Sequence, residues 1–319
     1  MLQRSHGRPC YFRILIRNKT TQRGRGSIGP RLPFYDHMET ICITLAGRTI
    51  RLESPSPVEP GEVLREFCRP MVGDADGCIR LETVPRLPAP VGGIRVEGRH
   101  FETNRRIFHD EGTGTDSYAM VEYAPDRQVR VLLRSDFAEM GTKGYVLLNL
   151  LCLEQLLLEL DALMLHASFI CHQGRGILFS GPSGIGKSTQ ARLWEEYRGA
   201  ETLNGDRAAI RLDEGVWRAY GLPVAGSSRI FRNESAPIEA IVVLRQAPHN
   251  RIRPMSPAEA IRTLLPEFSI HRWDREFLDR VLDLSTALLT AVPVYLLECT
   301  PDENAVQLLH RTLEKGGVL

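Results

Sequence analysis

The chain has 319 residues, 43% hydrophobic and 25% charged, the balance of a globular protein with enough apolar material for a sizeable core. A formal net charge of +1 argues against a polyanion-binding surface spread over the whole molecule, so no nucleic-acid partner is expected. Seven cysteines without a C-x-x-C pair suit a reducing, cytoplasmic setting better than a disulfide or zinc framework.

Residues 1–37 hold eight Lys/Arg against one acid, Asp36, so this leader carries +7 and the rest of the chain −6. The segment lacks a sustained period and reads as a mostly disordered basic arm. It is a targeting or nucleic-acid-binding tail, a solvated extension, or the product of a start codon upstream of a true beginning at Met38. The last two are favoured, because charge runs are usually solvated and regular alternation begins directly after Met38. The leader has no continuous apolar stretch of the kind that marks a secretory signal.

Residues 38–140 read as a small β-rich N-terminal domain. Residues 40–45 and 48–53 alternate across Ala46-Gly47, a hairpin signal. Further strands are expected at 78–84, 93–96, 106–109, 118–123 and 128–133, punctuated by Pro and Gly. Nothing in this region carries chemistry.

Residues 141–319 read as a second, α/β domain. Residues 145–160 are expected to form one buried helix; the longest apolar run, 145–153, is too short and too closely followed by Glu154 and Glu159 to cross a membrane. Two apolar runs, 163–171 and 176–180, are expected to pair as strands across the turn at 172–175. A hairpin turn is expected at Asp213-Glu214-Gly215, and a buried strand at 238–244. Capping boxes at Ser256-Pro-Ala-Glu259 and Thr300-Pro-Asp-Glu303 predict helices from about 257 and 301, with another over 274–289. Gly316-Gly317 supplies a left-handed stop for the last one.

The second apolar run enters GPSGIGKST at 181–189, which fits G-x-x-x-x-G-K-[ST] at every fixed position. Gly181, Pro182, Ser183, Gly184, Ile185 and Gly186 would wrap an anion with backbone N–H groups, helped by the positive end of the following helix. Lys187 would reach the β- and γ-phosphates of a nucleotide, Ser188 would offer its hydroxyl to Mg²⁺, and Thr189 closes the motif. A second acid is needed to hold metal or accept a proton. Asp206, 19 residues after Lys187, is the candidate, with Asp213 and Glu214 as rivals in their turn. His166, 15 residues before Gly181, emerges near the same end of the sheet if the two strands pair. Arg229 and Arg232, in a polar glycine-bearing segment, could clamp a phosphate; the alternative is a solvated loop in which Arg232 pairs with Glu234.

The His in Leu-His-Ala-Ser at 165–168, the glycine loop 15 residues later and the Gly205-Asp206 pair together resemble the catalytic domain of HPr kinase/phosphorylase, in the wider group with phosphoenolpyruvate-carboxykinase-like P-loops. The resemblance covers roughly residues 163–247 and implies a P-loop kinase domain with a mixed central sheet. It further implies ATP and Mg²⁺ as cofactors, Asp206 as both metal ligand and base toward a serine hydroxyl, and His166 as its assistant. The departures are specific. Gly205 replaces the first of two adjacent acids, and residues 217–223 stand where the family has L-E-x-R-G-L-G. The likeness therefore reaches the kinase core, nearest to relatives that phosphorylate a serine of a peptide or protein. Kinases of this kind often assemble as homo-oligomers, although no interface is marked in the sequence. A small-metabolite kinase of the carboxykinase-like branch and a non-catalytic ATP-binding regulator remain as alternatives. No N-K-x-D or L-S-G-G-Q follows, against a GTPase or a transporter ATPase, and the strand at 238–244 ends in Leu-Arg rather than the acid of a Walker B strand.

Overall fold

The computed structural model describes residues 38–70, 73–96, 99–109, 116–224, 226 and 228–316. The basic arm at 1–37 and the second glycine of the Gly316-Gly317 stop lie outside the described residues. Within them the protein is a mixed α/β structure with two mixed sheets and eight α-helices.

The first sheet is built from β1 (Glu39–Leu45), β2 (Arg48–Ser54), β3 (Cys68–Arg69), β4 (Gly77–Val84), β5 (Ile94–Val96), β6 (Arg99–Phe101), β7 (Arg105–His109), β8 (Ser117–Ala124) and β9 (Gln128–Arg134). Their order is β3-β1-β2-β4-β9-β8-β7-β6-β5. Most pairs are antiparallel, but β4 runs parallel to both β2 and β9. The hairpin at Ala46-Gly47 forms as its sequence requires: both residues have positive φ, 49° and 73°, the conformation of a two-residue turn that matches strand twist. A short helix α1 (Gly61–Arg65) leads into β3, which the alternation did not reveal.

Two further short helices, α2 (Ala138–Gly141) and α3 (Gly144–Leu150), come next, followed by α4 (Leu153–Glu159). The single helix expected over 145–160 is thus broken. Cys152 takes a left-handed conformation, φ 43°, and the Tyr123 hydroxyl donates to the Leu151 carbonyl at 2.7 Å, satisfying an oxygen at the break. Apolar content on both sides gave a continuous pattern that hid this reorientation.

The second sheet contains β10 (Ala162–His172), β11 (Arg175–Ser180), β12 (Glu201–Asn204), β13 (Arg207–Asp213), β14 (Val216–Gly221), β15 (Ser235–Gln246), β16 (Arg251–Pro254) and β17 (Val294–Cys299). The Gln173-Gly174 and Glu214-Gly215 turns repeat the positive-φ pair seen in the first hairpin. Strand β11 pairs antiparallel with β10 and parallel with β15, and β15 is parallel to β17. Because β13 joins β10 to β14, and β14 joins β15, the pairings β11-β10-β13-β14-β15-β11 close a ring.

Four helices complete the structure: α5 (Lys187–Arg198), α6 (Pro257–Leu264), α7 (Arg275–Ala291) and α8 (Glu303–Gly316). On one side α6 and α7 bury Leu264, Phe277 and Leu288 against Leu165, Phe169 and Ile241. On the other α5 and α8 bury Trp194 and Leu309 against Phe179, Val242 and Leu297. Strands covered on both faces explain why β10 and β15 read as nearly continuous apolar runs. Ser256 caps α6 as its box predicts, accepting from Glu259 N at 3.3 Å. The last helix differs. It begins at Glu303, two residues late, because Asp302 takes the cap, accepting from Ala305 N at 3.1 Å, while Thr300 donates to Asp302.

The two sheets meet through buried arginines. Arg211 on β13 donates to the Ala46 carbonyl at 2.9 Å and pairs with Asp213 at 2.8 Å. Arg106 on β7 donates to Gln155 of α4 at 2.8 Å, inside an aromatic wall of Phe101 and Tyr123.

Candidate active site

The site forms where β10 acquires a partner on its second edge. One edge pairs with β13 over Ala162 to His166 and with β12 over Phe169 to Cys171, and the other pairs with β11 over Ala167 to His172. His166 stands opposite Arg207, the first residue of β13, and Ala167 stands opposite Ser180, the last residue of β11. The segments just outside those two strand ends, Asp206 on one side and Gly181 on the other, are thereby drawn to the same point. Backbone and hydroxyl bonds fix the junction: Ala167 N donates to Asp206 O at 3.0 Å, Ser180 Oγ to His166 O at 2.9 Å, and Ser168 Oγ to Gly205 O at 3.1 Å.

From Gly181 the chain makes the expected loop into α5. Gly181, Gly184 and Gly186 have φ of 140°, 80° and 112°, which residues with a Cβ rarely adopt. A Cβ at Gly184 or Gly186 would meet nothing within 4 Å, so these positions are held by backbone conformation rather than crowding. Ile185 N donates to Pro182 O at 3.2 Å, and Ile185 packs on the core beneath α5 and α8. Ser183 and Ser188 are exposed, and Thr189 is half-buried.

Lys187 is only 7% exposed; its ammonium donates to the carbonyls of Gly181 at 2.8 Å and Pro182 at 3.2 Å. Burial pushes its pKa below the ordinary 10.5, while the nearby carboxylates of Glu267 and Asp206 act in the opposite direction and Arg207 adds to the lowering.

Asp206 is presented by an Asx turn. The Asn204 side chain accepts from the N–H groups of Asp206 and Arg207, both at 2.9 Å, and donates to the carbonyls of Leu222 and Val224. His166 Nε2 lies 3.8 Å from Asp206 Oδ1, and Arg207 Nε lies 3.5 Å from Asp206 Oδ2. Both separations leave carboxylate lone pairs open to another ligand.

Two contributors escaped the sequence reading. Glu267, in a 3₁₀ turn (Leu265–Glu267) after α6, accepts from His166 Nδ1 at 3.0 Å. An ionised carboxylate only accepts, so this bond assigns a proton to Nδ1 and turns Nε2 toward Asp206. Glu267 is delivered by a bridge between Leu165 and Phe268 and by Ser269 N donating to Met164 O at 2.9 Å. Arg207 is the second; its guanidinium also donates to Ser269 Oγ at 2.9 Å. No periodic signal marks Glu267, whereas Asn204-Gly205 could have been read as the turn that aims Asp206.

The remaining candidates are placed elsewhere or left open. Arg232 is ion-paired with Glu201, at the start of β12, and lies 3.9 Å from Glu234. Arg229 is exposed with φ 54°, and no hydrogen bond or ion pair engages its guanidinium among the described residues. The rival acids are also committed: Asp213 pairs with Arg211 and accepts from the Tyr220 hydroxyl, and Glu214 is a turn residue.

Mg²⁺ would suit the donors present. The exposed Ser188 hydroxyl and the incompletely engaged Asp206 carboxylate are hard oxygen ligands, and Mg²⁺ takes only one or two protein oxygens when phosphates and waters fill the rest. Among the described residues no cluster of three or more His, Cys, Asp or Glu could cage a metal, so a dedicated all-protein site is not offered.

A family model described as "SynChlorMet cassette protein ScmC" matches residues 147–304, a stretch that contains the whole cluster. No curated protein matches the chain. Among solved structures, the Hpr(Ser) kinase/phosphatase from Coxiella burnetii aligns over 48% of this chain and 89% of that one at 16% identity, with a TM-score of 0.27. A superposition that loose carries no conclusion about fold or activity. No helix among the described residues is long and apolar enough to cross a membrane.

Proposed function

We propose that the protein is a Mg-ATP-dependent kinase that transfers the γ-phosphate to a serine hydroxyl of a peptide or protein, in the cytoplasm. The observation that supports this most directly is the convergence of Lys187, His166 and Asp206 where β11 joins β10. An anion cradle, a carboxylate with open lone pairs and an oriented imidazole are the parts that phosphoryl transfer needs, since its catalysis is mostly positioning and charge neutralisation.

In this reading the N–H groups of the 181–186 loop and the Lys187 ammonium hold the nucleotide's phosphates. Bound Mg²⁺, held by Ser188 and Asp206, would neutralise phosphate charge. Asp206 takes the proton of the acceptor hydroxyl. His166, with Nδ1 held by Glu267, presents Nε2 to Asp206 or to a phosphoryl oxygen. The serine acceptor rests on the resemblance of the motifs to peptide-phosphorylating kinases. The test is transfer of labelled γ-phosphate from Mg-ATP to serine-bearing peptides, with phosphoamino-acid analysis. Label on serine, lost in Asp206→Asn, supports the assignment; unchanged transfer in Asp206→Asn removes the proposed base. Turnover only with small hydroxyl compounds would move the protein to a metabolite kinase.

A further inference from the structure

A segment beyond β14 lies over the proposed base. Gly226 rests on the Asp206 side chain so closely that a Cβ there would stand 2.6 Å from Asp206 Cβ and 2.9 Å from Cγ. Two residues on, the Ser228 side chain fills the space beside Gly205, where any Cβ at position 205 would collide with Ser228 Oγ. The Ser228 hydroxyl thus abuts the residue immediately before Asp206. Its placement is anchored on both sides. Arg229 N donates to Gly226 O at 3.1 Å, Gly205 N to Ile230 O at 3.3 Å, and Arg232 N to Leu203 O at 2.9 Å, while Phe231 forms a bridge with Asn204.

The hydroxyl is also chemically free. Ser228 Oγ accepts from Ile230 N at 3.3 Å, and no acceptor among the described residues takes its own proton. Asp206 keeps open lone pairs, and the adjacent Arg229 carries an uncommitted guanidinium that could pair with a phosphate formed at Ser228. Ser228 is thereby held against the residue that precedes the proposed base.

Resting on the kinase reading above, we propose that Ser228 is an internal acceptor and that the protein phosphorylates itself there. The Ser228 Oγ–Pγ bond forms, the bond between Pγ and the β–γ bridging oxygen breaks, ADP leaves, and the hydroxyl proton passes to the Asp206 carboxylate. The product places a phosphoserine beside Gly205, one residue from Asp206, so like-charge repulsion loosens the packing of Gly226 on Asp206.

The experiment incubates the full chain with Mg-ATP and no added acceptor, then maps phosphate by peptide fragmentation over a wide range of protein concentration. The expected result is one phosphoryl group on Ser228, formed at a per-chain rate independent of concentration. It is lost in Ser228→Ala and in Asp206→Asn, and Ser228→Ala keeps its stabilisation by nucleotide. The proposal is overturned if an added peptide is phosphorylated while Ser228 stays unmodified, or if the phosphate maps to Ser227 or elsewhere. Should Mg-ATP neither stabilise the protein nor donate phosphate to anything, the kinase reading fails and this inference with it.

Discussion

His166 Nδ1 lies 3.0 Å from the Glu267 carboxylate, a contact between residues 101 positions apart in the chain. A hydrogen bond to a charged group is worth about 1.5–3 kcal/mol. Glu267→Ala is therefore expected to slow phosphoryl transfer by about ten- to a hundredfold, with nucleotide binding retained. Glu267→Gln, which can still accept from Nδ1 through its amide oxygen, should lose less. Equal losses in the two variants, or loss of nucleotide binding, would show that Glu267 supports the fold rather than the imidazole.

Lys187 should separate binding from folding. Its hydrogen bonds go to two loop carbonyls, and its charge is already disfavoured by burial. Lys187→Ala is expected to abolish stabilisation by Mg-ATP while moving the nucleotide-free melting temperature only slightly. The sign of the pH effect follows from the depressed pKa. Between that value and 10.5 the unfolded chain holds the proton that the folded chain has released, so this group makes stability rise with pH across the window. Lys187→Met should flatten that alkaline segment of the stability curve.

Position 205 is a glycine for a reason that can be titrated. Its φ is unexceptional, but a Cβ would strike the Ser228 side chain. Gly205→Ala is expected to cost about 1–3 kcal/mol by overpacking. Ser228→Gly in the same chain should recover most of that loss, and a double-mutant cycle in denaturant measures the coupling. Additive effects would mean that the two side chains do not compete for one space.

Acid should weaken the link between α4 and the segment before α7. Burial raises the Glu154 pKa, but the hydrogen bond from His271 at 3.1 Å and its charge outweigh this and hold the carboxyl below its ordinary 4.5. The resulting stability is complete above 4.5 and is lost as pH falls through the depressed folded value. Unfolding free energies measured on either side of pH 4.5 should show this acid limb, and Glu154→Gln should shallow it.

What the sequence disclosed depended on how local each signal was. The hairpins at Ala46-Gly47 and Glu214-Gly215, the glycine loop at 181–186 and the Ser256 cap are specified by adjacent residues whose conformational needs are visible in one dimension. His166 and Asp206 were singled out by their spacing to the glycine loop, 15 residues before Gly181 and 19 after Lys187. Glu267 could not be found that way, since it reaches the imidazole through a bridge between Leu165 and Phe268 that no periodicity records. The break at Cys152 was hidden for the opposite reason: uniformly apolar residues on both sides satisfy burial whether the helix continues or turns.

The flanking of β10 by β11 on one edge and by β12 and β13 on the other has a consequence for how such a protein can diversify. The glycine loop and the carboxylate stand on strands about 4.8 Å from β10 on either edge, and the Asn204 turn ties the carboxylate further to the carbonyls of Leu222 and Val224. A change of shape beyond β14 is transmitted to Asp206, on which Gly226 rests, so a new covering must evolve together with the carboxylate beneath it.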